Sequence, residues 1–315
     1  MLTRRRIIAA KVESVEGTAE AITVTDAGIV AIDPKFDADI KMYDRNSIKL
    51  NTLSKLQPVP GQQMGTISFR CEIKGTAATY SATVKPAMGI YLRACGFSEA
   101  VDVTAGAEKV TYLPASTGVP SITIWLYDDG AVRKLKGARG TVSFSGKVGE
   151  PIFAEFKFTG VYDGAPALAM VTPTLELSPP PVMLNAALTI DAYAAICETF
   201  SVDMGNEIQM RGSANATTGY LSAMLTDRKP TGKLDPEMVL PATYDFMGKW
   251  VAGNAGALSI GPLGSVNYNK FTISAPKCVY TKVGSGERSG LSTADLDITL
   301  AMNTGDDEFK LEFVK

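Results

Sequence analysis

Paired carboxylates are the residues of this chain best placed to do chemistry: Asp37 with Asp39, Asp128 with Asp129, and Asp306 with Asp307. Two such groups flanking a bond can act as acid and nucleophile in glycoside hydrolysis, or can share a calcium ion. The first pair falls on one face of an alternating strand and the other two fall in turn sequences, where aspartate bonds its own backbone. No twelve-residue calcium loop accompanies them. The 315-residue chain contains no histidine, so the usual general base is missing and no Ser-His-Asp or Cys-His arrangement is available. Cys71, Cys95, Cys197 and Cys278 are far apart, lack a Cys-x-x-Cys pair and sit in apolar runs, which reads as buried reduced thiols. Gly137-x-x-Gly140 and Gly284-Ser285-Gly286 lack the lysine and following helix of a phosphate loop. Trp125, Trp250 and the eleven tyrosines recur at strand and helix periods, favouring core packing over a sugar platform. The expectation is a non-enzyme with no cofactor and no metal.

The elements that would position any site are mostly strands. Phe36 to Tyr43 alternates, with Phe36, Ala38, Ile40 and Met42 on one face and Asp37, Asp39 and Lys41 on the other. Phe200 to Arg211 keeps the same phase, with Phe200, Val202, Met204, Ile208 and Met210 inward. Each is followed by a second strand (Gly65 to Lys74; Gly232 to Val239) and a short helical run ending on glycine (Met88 to Gly96; Tyr244 to Gly253). Each half then closes with two alternating strands, Thr141 to Ser145 and Phe153 to Phe158, then Ala294 to Met302 and Phe309 to Phe313. Ser178-Pro179-Pro180-Pro181 separates the halves, because consecutive prolines neither continue a helix nor donate to a ladder. The repeated order predicts a tandem duplication: a first β unit over residues 1–177, a connector over 178–181 and a second β unit over 182–315. The fold class expected is mainly β, with two tandem antiparallel sandwich or barrel-like units, each carrying a short flanking α-helix.

Between these elements, residues 22–25 and 29–32 read as short β pieces and about 45–63 as a long loop of the kind a partner orders. Asp128-Asp129-Gly130 is a hairpin turn, residues 253–269 an exposed mobile loop, and 284–288 a turn. The opening Met1-Leu2-Thr3-Arg4-Arg5-Arg6 precedes only four apolar residues, too few for a signal peptide. It is expected to stay as a basic arm, either solvated or reaching a neighbouring subunit. A net charge of -2 argues against a general nucleic-acid surface, and no apolar run is long enough to span a bilayer.

Many weak signals in order carry a resemblance: Leu92-Arg93-Ala94-Cys95-Gly96-Phe97, Val110-Thr111-Tyr112-x-Pro114, Pro120-Ser121, Tyr127-Asp128-Asp129-Gly130, Leu135-Lys136-Gly137-Ala138-Arg139-Gly140 and Gly149-Glu150-Pro151. Together they resemble the major tail tube proteins of long-tailed, siphovirus-type bacteriophages, here in a tandem-duplicated form. The resemblance implies a structural virion protein, folded and assembled in the host bacterial cytoplasm, whose rings stack into a hollow tail tube for DNA ejection. Its partners would be copies of itself, the tape measure, terminator and distal tail proteins, and DNA passing through the lumen without specific binding. Two units per chain imply a trimeric ring of pseudo-sixfold symmetry. The lumen would be lined by Asp37, Asp39 and Lys41 from one unit and Ser201, Asp203, Glu207 and Gln209 from the other, an acidic wall that repels phosphate. Contacts between rings would come from Arg4, Arg5, Arg6, Asn46, Lys49, Lys55 and Gln57. The alternative is a carbohydrate-binding or adhesin-type double β-sandwich of a baseplate or fibre.

Overall fold

Alternation of apolar and polar side chains becomes strand almost throughout the computed structural model, which describes every residue except 1, 3, 27, 50, 173 and 174. The first half contains β1 (Arg6–Val12), β2 (Ile32–Tyr43), β3 (Val59–Glu72), α1 (Gly89–Ala94), β4 (Phe97–Asp102), β5 (Lys109–Pro114), β6 (Ile122–Asp128), β7 (Ala131–Lys147) and β8 (Phe153–Tyr162). The second contains β9 (Thr189–Ile190), β10 (Tyr193–Ala194), β11 (Thr199–Asp203), β12 (Asn206–Gly212), β13 (Tyr220–Arg228), β14 (Thr231–Leu234), α2 (Phe246–Ala252), β15 (Ala255–Leu263), β16 (Lys270–Arg288), β17 (Leu291–Leu300) and β18 (Lys310–Val314).

All pairings are antiparallel, and their order repeats. In the first half neighbours run β1-β6-β7-β8-β3-β2; in the second they run β9-β15-β16-β17-β14-β11. The corresponding strands also match in length: β7 has 17 residues and β16 has 19, while β8 and β17 have 10 each. The long strands serve two layers. Residues 131–138 of β7 pair with β6, and its last five residues pair with β11. That β11–β7 ladder joins the halves into one sheet, and β18 adds a second join by lying between β16 and β5.

The core follows from this layering. Phe69, Phe156 and Phe158 pack beneath α1 against its Tyr91, with the Phe69 ring 5.3 Å from Tyr91 and 5.4 Å from Phe156. Tyr193, Tyr244, Phe246 and Tyr280 make the matching cluster beneath α2, where the Tyr244 and Tyr280 hydroxyls bond each other at 2.9 Å. Aromatic pairs at these separations add about 0.5–1.5 kcal/mol each beyond their area burial. β6 is buried along its whole length because both of its faces are covered: Ile122, Ile124 and Leu126 face the main core, while Trp125 and Tyr127 pack on Ala9, Ile22 and Val132. α2 is capped by Asp245, whose carboxylate accepts from the Gly248 amide at 2.8 Å, and ends at Gly253.

Several local expectations change. Residues 22–25 do not form a strand; a short 3₁₀ turn occupies Val24–Asp26, tied by Asp26 to the amide and hydroxyl of Thr23. The segment 253–269 contains β15, whose Leu258, Ile260 and Leu263 are buried, so its glycines and serines accommodate bulges in a strand. Residues 284–288 continue β16, and the turn falls at Ser289–Gly290, just as Asp129–Gly130 turns β6 into β7. The loop after β2 is shorter than 45–63, because β3 already begins at Val59. The strand expected over Phe200 to Arg211 breaks at Gly205, where φ is +57°, and turns β12 away to pair with β13 alone. The strands closing each half also correspond differently: β17 takes the place of β8, whereas β18 pairs with β16 and β5 and not with β17.

Candidate functional site: one charged sheet face and two open strand edges

The polar faces of the central strands form one surface. Asp203 stands opposite Ser143, Ser143 opposite Glu155, and Glu155 opposite Arg70. The next row runs Ser145, Ser201, Lys233, Asp297, Lys282. A groove of about 620 Å³ follows these rows, with Arg70, Glu155, Ser201, Lys233, Asp297 and Lys282 along it. Asp37 and Asp39 extend the same face at the far edge, opposite Thr66 and Met64. Lys41 follows on the same strand, at an irregularity between Ile40 and Met42.

The structure thus brings five of the seven expected lumen residues, Asp37, Asp39, Lys41, Ser201 and Asp203, onto strands of one sheet. Glu207 and Gln209 lie apart on β12, where the Gln209 amide donates to Glu207 at 3.0 Å. The face is also less acidic than the two strands considered alone implied. Arg70, Lys157, Lys233 and Lys282 interleave with Glu155, Asp203, Asp295 and Asp297, and the Lys233 ammonium sits 3.6 Å from Asp297. Opposite charges directly across antiparallel strands attract, so the neighbouring strands neutralise much of the wall. The signal was present: in Ala154-Glu155-Phe156-Lys157-Phe158 the charges occupy the face opposite Phe156 and Phe158.

The expected inter-ring residues divide in two. Asn46, Lys49, Lys55 and Gln57 are exposed on the loop between β2 and β3, where Asn46 bonds Asp44. Arg4 is exposed as well, but Arg5 and Arg6 are engaged within the chain. Arg5 pairs with Asp129 at 2.7 Å, and Arg6 opens β1, its guanidinium 3.1 Å from Asp128. The Asp128–Asp129 turn is accordingly not simply solvated: Asp128 is 3% exposed and also pairs with Arg133 at 3.2 Å. Among the described residues no group of three or more His, Cys, Asp or Glu side chains is arranged to hold a metal ion, and no helix is long and apolar enough to cross a membrane.

Two strand edges of the sheet are open. β2 pairs only with β3, and from Lys282 to Arg288 β16 pairs only with β17 among the described residues. Such edges carry unpaired backbone donors and acceptors, and natural proteins cover them. Around the β16 edge, Arg288 is held by Asp235 and Glu237 at 3.1 Å each and by Glu198 at 3.6 Å. Where the halves meet, Glu16 accepts from Arg139 and Ser222. Burial works to raise its carboxyl, but these bonds and the charges of Arg139 and Arg211 outweigh it and hold the group below its ordinary value. The thiols are pushed up by burial, Cys278 and Cys197 to about 12, which leaves them protonated at neutral pH.

A family model described as phage tail tube protein matches residues 3–300. No curated protein matches the chain.

Proposed function

The chain belongs to the phage tail tube protein family, and on that premise we propose that it polymerises as stacked rings into the hollow tube through which DNA is ejected from a siphovirus-type particle. The observation that carries this reading is the doubled strand order, β1-β6-β7-β8-β3-β2 and β9-β15-β16-β17-β14-β11, fused edge to edge and still open at both outer edges. It supports a tandem duplication in which residues 1–177 and 182–315 are two units joined by 178–181. A sheet built of two equal segments and closed on copies of itself is a piece of a wall, and closure removes the aggregating edges. Three chains supply six segments, a trimeric ring with pseudo-sixfold symmetry.

The charged sheet face, with Asp37, Asp39, Lys41, Ser201 and Asp203, lines the lumen in this arrangement. Its cations stand beside carboxylates and make no continuous basic track, so a duplex passes without being held. The exposed loop bearing Asn46, Lys49, Lys55 and Gln57, with Arg4, contacts the next ring. The remaining partners are the tape measure, terminator and distal tail proteins, and assembly takes place in the host bacterial cytoplasm. Negative-stain microscopy of concentrated protein tests this: tubes with a central channel are expected, and particles of single-chain size at every concentration would overturn it.

A further inference from the structure

The two halves of the sheet match in strand order and differ in charge. Phe36, Ile67 and Phe158 stand in a row across β2, β3 and β8, and Phe200, Leu234 and Leu296 stand in the equivalent row across β11, β14 and β17. From these rows, Arg70 falls where the second half has Glu237, and Lys157 falls where it has Asp295. The bridge between Glu237 and Thr293 keeps this register, since it repeats the Arg70–Glu155 pairing of the first half. At both positions a cation of the first half is matched by a carboxylate of the second. The cations also differ in what they touch. In the second half Lys233 sits 3.6 Å from Asp297, and Arg288 is held by Asp235, Glu237 and Glu198. In the first half Lys35, Arg70 and Lys157 are exposed and make no ion pair among the described residues.

These three cations surround one hydroxyl. Lys35 stands opposite Ser68, Ser68 opposite Lys157, and Arg70 follows Ser68 by two residues on the same face of β3. Arg70 also stands opposite Glu155, yet its guanidinium lies over the Phe153 ring, 4.3 Å from the centroid, and not on the carboxylate. We propose that Lys35, Arg70 and Lys157, with the Ser68 hydroxyl, form a phosphate-binding site for the duplex that crosses the lumen, and that the second half has no such site. Lys35 and Lys157 are two strand spacings apart, about 10 Å. A duplex presents a charge every ~1.7 Å of its axis, so cations at this spacing meet phosphates at any phase and in any sequence, which suits a moving polymer. An acidic protein segment would need its carboxylates spaced to match. Asp37 and Glu155 flank the site along β2 and β8, so the contact does not become capture. A ring of three chains then alternates three stripes that touch phosphate with three that repel it, and a wall of sixfold backbone has threefold electrostatics.

The choice of DNA as ligand rests on the tail-tube reading, but binding can be measured without a tube. Fluorescence anisotropy of a labelled DNA duplex, titrated with the full chain at rising salt, reads it directly. Three phosphate contacts predict a slope of about −3 for log K against log salt, and Lys35→Gln, Arg70→Gln and Lys157→Gln should each reduce its magnitude by about one. The triple variant should lose binding with unchanged circular dichroism, while Lys233→Gln with Lys282→Gln should bind as the unaltered chain does. Absence of binding at the lowest salt, or equal losses from the two sets of substitutions, would overturn the site. Poly-glutamate that displaces the labelled duplex as well as unlabelled duplex does would also overturn it and assign the patch to an acidic protein. Microscopy of the same samples separates the two readings: binding without tubes supports the site and overturns the assembly, whereas tubes without binding do the reverse.

Discussion

The rings of Phe144 and Phe309 lie nearly parallel, their centroids 4.9 Å apart and their planes within 13°. Phe144 belongs to β7 in the first half and Phe309 to the approach of the last strand, so this stack fastens the two halves of the chain in one core. Both rings are fully buried. Phe309→Ala should therefore lower stability by about 3–5 kcal/mol. A single cooperative urea transition with a reduced midpoint is expected. Independent melting of the two halves, with only one affected, would contradict it.

Arg228 gives a second tie between distant segments. Its guanidinium donates to Glu308 and, at 3.0 Å, to Asp306, with only 11% of its side chain exposed. Arg228→Met leaves Glu308, 7% exposed, without its charge partner. Breaking one side of a buried pair costs about 3–5 kcal/mol, more than the pair itself contributes. Arg228→Met with Glu308→Leu should recover a substantial part of that loss, which a double-mutant cycle would measure.

Acid should weaken the protein through its turns. The amide of Asn303, then the hydroxyl and amide of Thr304, hold the Asp307 carboxyl down to about 2, from an ordinary value of 3.8. Because the folded value lies below the unfolded one, its contribution is complete above about pH 4 and disappears as the pH falls towards about 2. Asp306, where bonds from Ser116 and Arg228 outweigh burial, shifts in the same direction. Urea midpoints measured across this window should fall with pH, and Asp307→Asn should flatten part of that slope.

The loop between β2 and β3 should be dispensable for folding and necessary for stacking. Deleting residues 46–57 removes a loop whose described residues are exposed except for half-buried Leu56, and leaves both flanking strands whole. The expected product is a folded protein that forms rings without tubes, and tubes of ordinary length would refute the assignment of this loop.

Thiol chemistry offers an independent check on packing. Cys71, Cys95 and Cys278 are buried and Cys197 is half-buried, each pushed towards its protonated form. Iodoacetamide at neutral pH should label none in the native protein and all four after denaturation, as read by mass spectrometry.

Much of this architecture was legible as alternation, and the misreadings share a cause. Glycine and serine in 253–269 and 284–288 looked like loop, yet β15 and β16 use them where bulges or a neighbouring side chain leave no room. A Cβ on Gly286 would lie 2.5 Å from the Asp295 carboxylate and 2.6 Å from the Thr293 hydroxyl. Which strand lies beside which is a long-range matter that alternation does not encode. For the same reason β18 looked like a partner of β17 although it belongs beside β16 and β5. The charged face was half legible: Asp37, Asp39 and Asp203 showed in their own strands, but Lys233 and Lys282 reach the same surface only through pairing. The exposure of Ile40 and Met42 could not be read at all, because their pattern matches that of buried residues.

The seat of β18 also decides how the two halves are kept together. Val110 in β5 meets Phe313, and Ile273 in β16 meets Leu311, so two ladders depend on one five-residue segment. Without Lys310–Val314, β5 and β16 would each lose the ladder on that side. The segment thus acts as a clasp between strands that come from opposite halves of the chain.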